Sequence, residues 1–325
     1  MRNLRVDVVA LSNRSPTLAA MKVLVTGGTG FVGRAVLSRL REAGHTVRLL
    51  VRHAQAARAE DLATRYGAEL AAGDLLEAAT IRQAMQEMEA VIHLVGIISE
   101  IGRNTFEQAH TGATRNVVSA AVEAGVGRYV HMSALGTRPD ARSRYHQTKW
   151  AAEEAVRQSA LAWTIFRPSL IYGAEDHFVQ LFARLARWSP ALPVMGTGRA
   201  RLQPVEVEVV AAAFVGALTE PRAIGGTYDL GGPDRLTFSE ILEVITAGAG
   251  RRRWQVRIPL PLAKLQAALL EFVFPRLLGR AAPLNRDQLL MLEEDNVGDP
   301  QPANTLFHLH PQTFREGVAR CLVRG

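Results

Sequence analysis

The chain has 325 residues, 38 Lys+Arg against 31 Asp+Glu for a formal net charge of +7, 48% hydrophobic residues and one cysteine. That length supports one large α/β domain or two domains of roughly 150 residues each around a sizeable core. A single cysteine excludes a disulfide scaffold and a cysteine-rich metal site and suits a reducing cytoplasm, and a charged fraction of 21% beside an apolar half excludes a disordered tail protein.

Only Lys22, Lys149 and Lys264 are lysines; the other 35 basic residues are arginines, a skew that reflects a GC-rich genome more than selection for nucleic acid. The arginines are spread along the chain, with one tight run at Arg251-Arg252-Arg253, followed by Trp254 and Arg257. Nucleic-acid binders concentrate charge on one face, so no nucleic-acid partner is expected, and the run suits anionic lipid or an acidic partner better.

In chain order, Met1 to Ala20 carries Arg2, Arg5 and Arg14 without the apolar core of a signal peptide and reads as an extension before a fold that begins at Met21. From Lys22, short apolar runs alternate with helical periodicity. Strands are expected at Val23–Val25, Val47–Val51, before Gly73, at Val91–Val95, Arg128–Met132 and Trp163–Phe166. Helices are expected at Val32–Ala43, Ala78–Met88, Phe106–Ala124 and Arg144–Gln158. A right-handed series of this kind predicts an α/β, Rossmann-like doubly wound parallel sheet over residues 21–168. After Pro168 the rhythm is lost, so 169–325 is read as a smaller C-terminal substrate lobe, part of which, about 200–232, returns to the sheet.

No stretch reaches the roughly 18 uninterrupted apolar residues of a membrane span. Ile258–Gly279 comes nearest but is broken by Lys264, Gln266, Glu271 and Arg276. Within it Leu262, Leu265, Leu269 and Phe272 share one helical face. Such a stripe is most often core packing; otherwise it lies at a membrane interface or caps a hydrophobic substrate.

The first strand runs into Thr26-Gly27-Gly28-Thr29-Gly30-Phe31-Val32-Gly33 and then a helix. In that position the glycines form a dinucleotide-binding loop: Gly27 for a tight turn, Gly30 for backbone approach to a pyrophosphate, and Gly33 for helix–strand closure. The free N–H groups around Phe31 and Val32 point at the phosphates. Arg52, where NAD sites place an acid at the end of the second strand, favours the 2′-phosphate of NADP, with NAD as the second choice. Asp74 and Leu75 end the third strand on the adenine side, and Val95-Gly96 follow the fourth, with His93 either packing or facing the nicotinamide. Tyr145 and Lys149 lie four residues apart on one helical face, and Ser133 follows the fifth strand. A cation beside the phenol favours phenolate, so the three form a candidate proton relay beside a hydride carrier.

These residues, in this order, resemble the short-chain dehydrogenase/reductase superfamily in its extended or atypical branch. The resemblance implies a Rossmann fold, NAD(P), Ser133, Tyr145 and Lys149 as the catalytic set, and Tyr145, Lys149 and Pro168 among the cofactor contacts. Arg167-Pro168-Ser169-Leu170-Ile171-Tyr172-Gly173 is similar to that branch's Arg-Pro-x-x-x-Tyr-Gly segment, whereas Glu206 and Val209 stand where a later segment commonly has His or Tyr and Asp. Ile92-His93-Leu94-Val95-Gly96-Ile97, Gly173–Phe178, Pro283–Leu289 and Asp295-Asn296-Val297 resemble the reductase-like accessory subunit of respiratory complex I and its bacterial relatives. Two functions are therefore expected. One is an NADPH-dependent oxidoreductase or epimerase acting on a small carbonyl or sugar-like substrate. The other is a non-catalytic NADPH holder of a respiratory membrane complex, cytoplasmic or peripheral on the inner membrane. Either form admits an oligomer.

Overall fold

In a computed structural model that describes residues 20–323, nearly all of the expected Met1–Ala20 extension lies outside the described residues. The folded part begins with β1 (Lys22–Thr26), α1 (Phe31–Glu42), β2 (Thr46–Val51), α2 (Ala57–Tyr66), β3 (Glu69–Ala72), α3 (Ala78–Met85) and β4 (Ala90–His93). A π-helical turn, Glu107–Gly112, leads into α4 (Ala113–Glu123), and β5 (Arg128–Met132), α5 (Arg144–Arg157) and β6 (Trp163–Pro168) follow. The expected helix over 106–124 is thus two segments, the first wound more loosely.

These strands and a seventh, Gly226–Leu230, form one parallel sheet in which β4 and β2 flank β1, β5 and β3 lie outside them, and Gly226–Leu230 pairs with β6. Successive residues of β1 point to opposite faces. Val23 and Val25 join Leu37, Leu49 and Phe214 in one core, while Leu24 joins Ile81, Val91, Val117 and Ile165 in the other. Burial on both faces explains why the strands read as continuous apolar runs. The order reverses between β1 and β4, which opens a crevice at the carboxyl ends of these two neighbouring strands.

The C-terminal part is built from α6 (His177–Trp188), α7 (Val207–Gly216), α8 (Phe238–Gly248), α9 (Leu260–Val273) and α10 (Arg286–Met291), with short strand pairs between them. α7 packs on α1, and Gly226–Leu230 returns to the sheet. Ala191–Met195 and Trp254–Ile258 pair in parallel and place Leu192 and Val194 against Phe238 and Leu242. α9 corrects one expectation: its buried residues are Ala263 and Ala267, packed with Leu289, while Leu262, Leu265, Leu269 and Phe272 are exposed. The stripe is not core packing. No described helix is long and apolar enough to cross a membrane.

Candidate functional site

The glycine loop is shaped by what side chains cannot do there. Gly27 has φ +78°, a left-handed conformation open to glycine, and a Cβ on it would come within 3.1 Å of the Leu94 and Val95 backbone. A Cβ on Gly33 would lie 2.4 Å from Gly28 Cα and 2.5 Å from Gly27 O, so α1 closes on the loop only without one. Gly30 is the N-cap of α1, and no side chain caps the helix or places an acid in its first turn. The helix therefore presents open N–H groups and the positive end of its dipole, the local chemistry of an anion site.

Beside this terminus lies a 620 Å³ cavity along the carboxyl ends of β1–β4. Its wall includes the expected Gly27, Gly30, Phe31, Val32, Gly33, Arg52, Asp74, Leu75, Val95 and Gly96. At one end Arg52 is exposed and has no ion-pair partner among the described residues. Arg58, absent from the expected set, stands on the same wall, donating to Thr29 O at 3.0 Å. The Asp74 carboxylate accepts from the Leu76 N–H at 2.9 Å, and Asn116 donates to Leu75 O at 2.8 Å. Both contacts hold the wall in place.

At the other end Lys149 is fully buried and donates to Val95 O at 3.2 Å and Met132 O at 3.0 Å. Its ammonium thus ties β4 to β5 at the crevice, 3.0 Å from where a Gly96 Cβ would stand. Burial lowers its pKa to about 8, against a smaller upward pull from Glu153. Glu153, itself buried, is held by Arg167 at 2.6 Å, so the arginine of the Arg-Pro segment braces α5. Ser133 follows Met132 directly; its backbone N–H donates to Phe166 O, and its buried hydroxyl donates to Thr137 Oγ1 at 3.4 Å. Pro168 is buried at the end of β6, where its carbonyl accepts from Leu135 N–H at 2.9 Å, and it is not on the cavity wall.

Tyr145 stands one helical turn before Lys149, its ring meeting His110 edge-on at 5.2 Å and Phe106 at 6.0 Å. Burial pushes its pKa up to about 12, away from the phenolate that a neighbouring cation is expected to favour. The structure gathers Lys149 and Ser133 at the end of β5 with Tyr145 on the same helix as Lys149, and it makes no Ser133–Tyr145 hydrogen bond among the described residues. His93 is a packing residue: it is fully buried, bonded to Thr26 Oγ1 at 2.6 Å and Thr114 Oγ1 at 3.1 Å, and stacked on His131.

Two further residues hold α5. His110, in the π-helical turn, takes the Ile97 N–H on Nε2 at 3.0 Å and reaches Thr148 Oγ1 with Nδ1 at 2.9 Å, joining the loop after β4 to the helix. Asp287 of α10 accepts from the Arg144 and Tyr145 N–H groups at 2.7 and 3.0 Å, while Ser143 accepts from His146 N–H at 3.2 Å. The first turn of α5 is therefore capped partly from the C-terminal part of the chain. A second cavity of 450 Å³ lies beside this contact, walled by Phe106, Arg142, Glu271 and Asp287 among others. Periodicity signals none of these long-range contacts.

Residues 27–185 match a family model described as NAD(P)H-binding, and residues 136–268 match one described as the RmlD substrate binding domain. Over 287 residues the chain is 32% identical to NADH dehydrogenase (ubiquinone) 1 alpha subcomplex subunit 9, mitochondrial, of Arabidopsis thaliana, covering 86% of this chain and 70% of that protein. It is 30% identical over 242 residues to the NAD(P)H azoreductase of Xenophilus azovorans, covering 74% and 79% of the two. The solved structure of an NADPH-dependent quinone oxidoreductase of Escherichia coli, complexed with NADPH, shares the fold with a TM-score of 0.73 at 20% identity, covering 92% of this chain and 99% of that one. An NAD(P)H-binding domain on a Rossmann-like parallel sheet, continued by an RmlD-type segment, places this chain in the short-chain dehydrogenase/reductase superfamily, in its extended or atypical branch.

Proposed function

We propose that the protein is an NADPH-dependent oxidoreductase acting on a small carbonyl or sugar-like substrate, with epimerisation as the related chemistry of the same site. The observation that carries this reading is the buried Lys149 ammonium, fixed between the Val95 and Met132 carbonyls against the cavity-lining Gly96, one turn after Tyr145. The residues present fit the cofactor. Gly27, Gly30, Phe31, Val32 and Gly33 would hold the diphosphate on the uncapped end of α1, Asp74 and Leu75 the adenine, and Val95 and Gly96 the nicotinamide side, with Pro168 set back from the wall. Arg52, with Arg58 beside it, would take a 2′-phosphate, and its lack of an ion-pair partner supports NADP over NAD.

When bound, a nicotinamide supplies hydride to the carbonyl carbon. The chain's own residues handle the proton and the charge. Tyr145, neutral with its pKa pushed up to about 12, donates its proton to the carbonyl oxygen, Ser133 orients that oxygen, and Lys149 offsets the charge left on the phenol. A neutral phenol suits reduction better than oxidation. A second reading, an NADPH holder in a respiratory membrane complex, is supported by the similarity to the plant complex I subunit.

Cofactor titration and a turnover screen over carbonyls, quinones and sugar nucleotides test the two readings. NADPH should bind more tightly than NADH, Arg52→Glu should abolish the difference, and Tyr145→Phe should lower substrate-dependent NADPH oxidation by about 10²-fold or more with binding intact. Equal affinity for both cofactors overturns the role of Arg52, and the absence of turnover across the screen favours the holder.

A further inference from the structure

α9 is built inside out. Its buried side is made of Ala263 and Ala267, while Leu262, Leu265, Leu269 and Phe272 stand on the opposite side at 56, 69, 61 and 58% exposure. The π-helical turn that follows, Phe274–Leu278, adds Leu277 and Leu278 at 77 and 57%. Six large apolar side chains this exposed on one helix and the turn after it mark an interaction site. The stretch of chain that carries it is cationic. Between 251 and 280 the chain carries Arg251, Arg252, Arg253, Arg257, Lys264, Arg276 and Arg280 against Glu271 alone. Glu271 is already paired with Arg286 at 2.7 Å, whereas none of the seven cations is ion-paired among the described residues. Arg276 lies over the Phe272 ring at 3.9 Å, its charge at the edge of the apolar stripe. Trp254, highly exposed, opens the strand that runs into α9.

We propose that this face docks on a bilayer containing anionic lipid, with α9 lying in the plane of the headgroups and its leucines in the acyl boundary. Three observations select that occupant. The helix has 14 residues and ends in a proline-containing π turn, too short to span a bilayer and long enough to lie on one. The unpaired cations on the stretch that carries the stripe, Arg276 against it, complement phosphate headgroups above acyl chains, whereas nucleic acid has no use for the leucines. A second copy set face to face would bring two such cationic clusters together, which opposes self-association through this surface. The docking does not depend on the chain being a catalyst.

The test is co-sedimentation of the full chain with phosphatidylcholine vesicles, with and without phosphatidylglycerol, at low and high salt. Binding should be about tenfold or more stronger with the anionic lipid and should weaken with salt. Leu265→Asp with Leu269→Asp should abolish it, and Arg251→Glu, Arg252→Glu with Arg257→Glu should remove the gain from phosphatidylglycerol. Failure to bind anionic vesicles overturns the proposal, as does binding that the leucine variants leave unchanged. A concentration-dependent dimer in light scattering that the leucine variants dissolve, without vesicle binding, assigns the face to a second copy instead. Should the variants not fold, the lipid and salt dependence of the unaltered protein still decides.

Discussion

The crevice and α9 use residue size in opposite senses. In the crevice the small residues border ligand space or close backbone contacts, as Gly30 and Gly33 do, and the large ones, such as Leu37 and Leu49, fill the core beneath. In α9 the small residues Ala263 and Ala267 are in the core and the large ones face outward. Both regions have clear periodicity. Period identifies the faces of an element, and the rest of the fold decides which face is inside.

The sharpest way to break this contrast is to add volume on each buried side. Gly33→Val places atoms into Gly28 Cα and Gly27 O, so it should cost more than about 3 kcal/mol and abolish nucleotide binding, read by thermal unfolding with and without NADPH. Ala267→Leu should cost about 1–3 kcal/mol by overpacking against Leu289, read by urea unfolding; a stabilised variant would show that α9 turns to bury its leucines. The pH dependence probes the crevice alone. Lys149 is charged below about pH 8, so cofactor affinity should be level at lower pH and decline as pH rises through about 8. Its lowered pKa means that the unfolded chain holds the extra proton from about pH 8 up to the ordinary lysine range, so its contribution to stability rises with pH where affinity falls. Lys149→Met should remove both trends, and a decline that persists in it assigns the titration elsewhere. Smallest of all, Leu269→Asp should change stability by within about 0.5 kcal/mol, because the side chain it replaces is already in water.

The glycine loop is legible because its geometry excludes other residues: Gly27 needs a positive φ and Gly33 has backbone within 2.5 Å of any Cβ. The parallel sheet is legible in apolar runs that are buried on both faces. Arg58 escapes notice because it lies in a polar helical turn of an arginine-rich chain, and its place beside Arg52 depends on how α2 leaves β2. Asp287 and His110 act on α5 from far along the chain or from a locally loosened helix, and neither contact has a spacing to read. The upward shift of the Tyr145 pKa is likewise a product of burial that no neighbouring letter records.

The Asp287 contact makes the chain less modular than its two-part layout implies. The helix that carries Tyr145 and Lys149 has its first two N–H groups closed by a carboxylate 142 residues beyond the tyrosine. Exchanging the C-terminal portion between relatives therefore also exchanges the stopper on that helix. A chimera whose donor lacks a carboxylate at this point inherits a frayed start to α5, and with it a tyrosine whose position is no longer set.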